Sequence, residues 1–352
     1  MSGNYSVFVG TVGRGLWRGD DGGKKWTRMG WSPEQQVFPL ESQVRAVVAD
    51  PRNSSIIFAG DEQGLFRSNN GGDTWEKVPG PMDGMSVWSL AYDMEDPDTM
   101  FMGTRLPAVF RSRDAGRTWT KVCGADVIEQ TSMIGPNRVL AVRIDPLDHR
   151  KIWAGVEHGG VYQSLDGGDT WARVRNGLDD SVSRSDIHDI TIIPGMNLQK
   201  QGTRFKISPA GRGGTVLVTG PGEVTASDDV GESWESFILG AKDMPKGMSY
   251  MHSIAVKPGD PNTFFLCIGD TAIGDRGAIM RTKDGGANWE KCKLPDQPNS
   301  PFFSIKTDGS NPNRIWAASL FGELYHTEDG GDSWTKVERE FSEIRCVTLV
   351  SH

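Results

Sequence analysis

No apolar run in this chain reaches the roughly 18 residues that a membrane-spanning helix needs. The opening residues, Met1-Ser2-Gly3-Asn4-Tyr5-Ser6-Val7, have neither the basic nor the apolar stretch of a secretory leader. Cysteine is sparse. Cys123, Cys267, Cys292 and Cys346 show no CxxC spacing, so they read as reduced thiols of a cytoplasmic protein rather than as a disulfide or zinc framework. An excess of basic residues is missing too. With 38 Lys+Arg against 46 Asp+Glu, the net charge is −8, which argues against nucleic acid or an anionic membrane surface as partner. There is no Ser-centred elbow, phosphate loop or dinucleotide fingerprint, so no nucleotide cofactor is expected.

Glycine and tryptophan, in contrast, are abundant, at 44 and 12 residues. They recur together in the pattern Ser/Thr-x-Asp-x-Gly-x-x-Trp. Five copies are intact: Ser112-Asp114-Gly116-Trp119, Ser164-Asp166-Gly168-Trp171, Ser227-Asp229-Gly231-Trp234, Thr282-Asp284-Gly286-Trp289 and Thr327-Asp329-Gly331-Trp334. Two are worn: Ser68-Asn70-Gly72-Trp75 and Gly19-Asp21-Gly23-Trp26. The Trp-to-Trp spacings are 49, 44, 52, 63, 55 and 45 residues, the length of one four-stranded propeller blade. The hydroxyl and the carboxylate suit bonding to turn backbone, and the Gly suits a positive φ. The box aspartates therefore read as structural.

Each repeat has one grammar, here called strands A to D from the axis outward. In one copy these are Val44–Val48, Ile56–Gly60, Gly64–Ser68 and a strand entered at Trp75. The chain begins with a B-like strand at Ser6–Gly10 and ends with an A-like strand at Ile344–Val350. The expectation is an all-β chain forming one domain over residues 1–352. It is a single seven-bladed β-propeller of four-stranded antiparallel blades, closed velcro-fashion by pairing of the terminal strands.

The boxes resemble those of the Asp-box (BNR) propellers: sialidases, xyloglucan-active two-propeller glycosidases, sortilin-type receptors and photosystem II assembly factors. The likeness covers nearly the whole chain and implies architecture rather than one activity. Sialidases have six blades and an N-terminal Phe-Arg-Ile-Pro segment, which this sequence lacks. The xyloglucan enzymes place acid and base between two propellers, and sortilin-type propellers have ten blades. The resemblance also implies a ligand site on the face opposite the boxes.

Aligning the seven A strands puts Arg345, Arg45, Trp88, Leu140, His188, His252 and Phe303 at one near-axis rank. The next rank is small or polar: Cys346, Ala46, Ser89, Ala141, Asp189, Ser253 and Ser304. Two Arg and two His at one rank suggest a polar pocket. His188 and His252 are the candidate catalytic pair. With His158, from the loop Val156–Gly160, they are also candidate ligands of a divalent transition metal. Arg45, Arg345, Trp88, Arg105 and Tyr250 are candidate binders of a small anionic or ring-bearing ligand. Three functions remain open: a small-molecule hydrolase or lyase, a glycosidase needing two spaced carboxylates, and a non-enzymatic scaffold or assembly factor. The insertion Pro194–Gly214, with Lys200, Arg204, Lys206 and Arg212, reads as a solvated loop or a subunit contact.

Overall fold

The computed structural model describes residues 5–32, 36–39, 41–132, 135–175, 178, 185–201 and 204–352, excluding the side chains of 204, 210–212 and 239–241. The architecture is all-β, a seven-bladed propeller of four-stranded antiparallel sheets. The seven A strands are Ala46–Asp50, Ser86–Tyr92, Val139–Ile144, Asp189–Gln201, Tyr250–Lys257, Phe302–Asp308 and Ile344–Ser351. Each touches the next around the ring. Ile344–Ser351 pairs antiparallel with Tyr5–Thr11, from Tyr5 opposite Ser351 to Thr11 opposite Ile344. That blade continues outward through Gly15–Asp20 and Lys25–Met29.

The box turns are built as their chemistry demands. Ser164 Oγ donates to Asp166 Oδ1 (2.8 Å) and accepts from the Gly168 amide (2.8 Å). The Asp166 carboxylate accepts from the Thr170 amide (2.9 Å) and hydroxyl (2.6 Å). These bonds draw its pKa down to about 2, the Thr170 hydroxyl contributing most. Trp171 Nε1 then donates to the Gly168 carbonyl (3.1 Å), which locks the indole over the turn. Box turns also bond to the A–B turn of their own blade, as when the Gly167 amide meets the Arg150 carbonyl (2.8 Å). This puts boxes and A–B turns on one face. The B–C and D–A connections make the other.

Seven apolar clusters fill the spaces between blades. Blades approach so closely at their inner ends that a Cβ on Gly60 would meet Val87 Cγ1 at 2.3 Å. The insertion differs from expectation. It is not a loop but an extension of the A–B hairpin, Asp189–Gln201 pairing with Arg204–Gly220. Its Met196 and Ile207 are each 1 % exposed, and the Ile207 amide bonds to the Gly285 carbonyl of the next box (2.7 Å). Period-2 alternation lets the ribbon bury an apolar face against the adjacent blade of its own chain. The side chains of Arg204 and Arg212 lie outside the described residues.

Candidate functional site

The near-axis rank points inward for a reason that the ladder registers reveal. Val87 pairs with Thr104 and Ser89 with Gly103, so Trp88 has no ladder partner. Leu140, Phe303 and Arg345 are skipped in the same way, and His252 lies in the irregular step between Met251 and Ile254. Arg45 and His188 bond to the Gly60 and Thr219 carbonyls, whose residues already face Ala46 and Asp189. Each inner A-strand end is thus bulged. A bulge re-aims one side chain and lets consecutive residues face the same way. All seven residues of the rank line a cavity of about 100 Å³ at the mouth, together with Arg138, Glu157 and Tyr250. The channel beneath encloses a further 160 Å³ or so, walled in part by Ser89, Asp189, Ser253, Ser304, Arg143 and Lys306.

The mouth is cationic although the protein as a whole is acidic. The guanidiniums of Arg45 (4.2 Å) and Arg138 (4.7 Å) both stack over the Trp88 indole. Arg138 is ion-paired with Glu157, and Arg345 with Glu343. Among the described residues the Arg45 guanidinium bonds to the carbonyl and side-chain oxygens of Gln43 and forms no ion pair, although Glu62 and Glu343 act on it from farther away. Burial, and then the neighbouring Arg345, pull its pKa down to about 10. The Nε of Arg45, Nε1 of Trp88 and Nδ1 of His252 are buried without hydrogen-bond partners. Lower down, Arg143 is held by Asp189 (2.5 Å), which Ser253 also bonds (3.0 Å). Lys306 is open to channel water yet closely walled by protein, and that wall, with Arg143, lowers its ammonium's pKa.

The histidines occupy one side. His188 Nδ1 lies 2.6 Å from the Met251 carbonyl oxygen, which can only accept. Nδ1 therefore carries a proton, and Nε2 lies 3.1 Å from the Tyr250 hydroxyl. Asp186 Oδ2 stands 3.6 Å from the same Nε2. Burial raises the Asp186 carboxyl, but the hydrogen bond and charge of His188, helped by His158, outweigh it and hold the group below the usual range. His252 stacks between Phe303 (3.9 Å) and His188 (5.0 Å). Burial, then His188 and Arg345, keep it well below the ordinary histidine value, so it is neutral.

The structure thus brings together His188, His252, Arg45, Arg345, Trp88 and Tyr250. It does not place Arg105 in the lining; that side chain is exposed at the rim, near enough to affect Arg138. Nor does it converge His158, His188 and His252 as a metal triad. His188 has both ring nitrogens engaged, and its stacking on His252 leaves the ring-plane lone pairs side by side. The convergent donors are instead Glu157, His158 and Asp186. Sequence reasoning missed Arg138, Arg143 and Lys306 as wall residues. Extending the same alignment two residues up the strand from Leu140, and three down from Leu140 and Phe303, would have found them.

The family model described as "Sortilin, neurotensin receptor 3" matches residues 222–349. The oligoxyloglucan-reducing end-specific xyloglucanase of Emericella nidulans is 23 % identical over 340 residues, covering 84 % of this chain and 40 % of that protein. Among solved structures, the Niastella koreensis GH74 enzyme superposes with a TM-score of 0.62 at 17 % identity, over 83 % of this chain and 45 % of that one. YCF48 from Cyanidioschyzon merolae superposes with a TM-score of 0.56 at 14 % identity, over 87 % and 88 %. These likenesses establish the fold. The chain spans less than half the length of the xyloglucanase relative.

Proposed function

We propose that the channel mouth binds a small organic anion, a carboxylate, and that the protein is a hydrolase or lyase acting on it. The observation that carries this reading is Arg45, a partly buried guanidinium without an ion-paired carboxylate among the described residues. Burying an unpaired cation is costly, and a ligand carboxylate would both neutralise it and bond to its free Nε. Arg345 stands beside it, and Trp88, Phe303 and Tyr250 offer ring faces to the organic part. A cationic cleft of low dielectric on an acidic protein concentrates anions locally. His188, oriented by Met251 and charge-stabilised by Asp186, takes the proton, with Tyr250 as the hydroxyl that relays it. His252, neutral and stacked, is the second proton-accepting group facing the cavity.

A glycosidase is supported less well. Glu157 and Asp186 approach one another, but the first is bound to Arg138 and the second is held ionised, so neither is set up as the protonated acid. A non-enzymatic binding role stands as the second reading, because the chain spans 88 % of the YCF48 propeller. The test is calorimetric titration with two- to six-carbon mono- and dicarboxylates and with inorganic phosphate. At least one carboxylate should bind wild type and fail to bind Arg45→Met. If none binds, or if the substitution changes nothing, the reading is wrong. Binding without turnover across esters, amides and hydroxy acids bearing that carboxylate would favour the scaffold.

A further inference from the structure

We infer that Glu157, His158 and Asp186 form a binding site for one divalent transition-metal ion at the edge of the channel mouth. One ligand atom from each lies within 4.8 Å of the other two. Two neighbouring blades supply them. Glu157 and His158 sit in the turn between strand Ile152–Val156 and strand Gly160–Ser164, and Asp186 precedes the A strand of the next blade. His158 holds a backbone φ of +54°, which turns its ring back toward Asp186, with Nδ1 3.8 Å from Asp186 Oδ2.

A second observation, independent of the clustering, points to a missing cation. Asp186 is only 8 % exposed, and its Oδ1 is buried with no hydrogen-bond partner. An ionised oxygen in that condition is costly unless something positive meets it. The side-chain approaches of the two histidines, at 3.8 and 3.6 Å, are both to Oδ2. The same two carboxylates also act on Tyr250, whose hydroxyl is pushed up by burial and then by Asp186 and Glu157.

The donor set selects the ion class. One imidazole and two carboxylates suit zinc, manganese or ferrous iron better than the softer or all-oxygen alternatives. Metal–ligand bonds of about 2.1 Å put tetrahedral donors roughly 3.4 Å apart, so no pair of the three needs to close by more than about 1.4 Å. Three protein donors leave at least one position open. Because Glu157 lines the mouth, a bound ion sits at the border of the cavity. Arg138 is the competitor, since its guanidinium now neutralises Glu157. The metal site does not depend on the anion reading, which rests on Arg45 and Arg345.

The test uses the full chain, free of any tag, stripped with EDTA and dialysed against Zn²⁺ or Mn²⁺, with Mg²⁺ as comparator. Metal content, calorimetric affinity and the visible spectrum of the Co²⁺ form are read. Wild type should hold about one equivalent of Zn²⁺ or Mn²⁺ per chain. Asp186→Asn and His158→Gly, the latter suited to the positive φ, should each weaken binding at least tenfold or so. Arg138→Gln should tighten it by freeing Glu157. Retention of under a tenth of an equivalent, or equal retention by wild type and by whichever of the two variants keeps the native melting profile, means an adventitious ion only and overturns the proposal. Carboxylate titration of the stripped protein separates the two readings: it fails with Arg45→Met if the anion site is real, whether or not metal binds.

Discussion

Replacing Arg45 by Met should make the empty protein more stable. The methionine keeps most of the apolar stem against Trp88 and removes the charge. In the folded chain burial and Arg345 bring Arg45 down to about 10. A fall of that size from the ordinary arginine value corresponds to roughly 3 kcal/mol against the charged form. Partial exposure to cavity water screens some of it, and stacking on Trp88, lost in the variant, offsets about 0.5–1 kcal/mol more. A net gain of about 1–2 kcal/mol is expected at pH 7. The sign follows from linkage. A cation whose folded value is depressed carries its full burden below that value and loses it as pH rises through about 10. The stability difference between variant and wild type should therefore be flat from pH 6 to about 9 and shrink toward pH 11. Urea unfolding of both proteins across that range measures it, and taking the difference cancels groups common to both. A variant less stable than wild type at pH 7 would mean that Arg45 is a structural residue, and the argument for an anion site would lose its foundation.

Two other outcomes follow from the fold. Deleting residues 343–352 removes the ladder to Tyr5–Thr11 and the burial of Ile344, Val347 and Val350, at 0 %, 0 % and 2 % exposure. At about 1.5–3 kcal/mol per side chain, plus an exposed sheet edge, the loss is comparable with the whole stability of a domain. The truncated chain should lack a cooperative melt near that of the parent, and one melting like the parent would refute the pairing. Asp61 is 1 % exposed, and burial, then Glu62, raise its carboxyl to about 6. Its neutral form is favoured in the fold, so wild type should lose stability as pH climbs from 4 to 6; Asp61→Asn should be about 1–3 kcal/mol more stable at pH 7.5 and equal near pH 4 in urea titrations.

How much of the site was legible depends on what each residue needed in order to be read. Seven register-matched boxes specify local turns, and local turns are encoded within a few residues, so the blade count and strand grammar were readable from Ser164-Asp166-Gly168-Trp171 and its copies. The inner rank was readable too, because repeats convert a three-dimensional ring into an alignment column. The long insertion was misread, since its apolar positions Met196 and Ile207 make sense only once the neighbouring box at Gly285 is known to lie beneath them.

By itself the sequence determined the repeat, the blade size and the seven residues that meet at the axis, because those follow from periodicity and turn chemistry. The tertiary structure alone decided what these residues do to one another. That His188 meets Met251 through Nδ1 and Tyr250 through Nε2, that Arg45 forms no ion pair among the described residues while Arg138 has Glu157, and that His158 turns to Asp186 rather than to His252 are decided between different blades or loops. The bulge at each inner strand end fixes which way a side chain points, and distances across the ring then set charge balance. Neither quantity is carried by spacing along the chain.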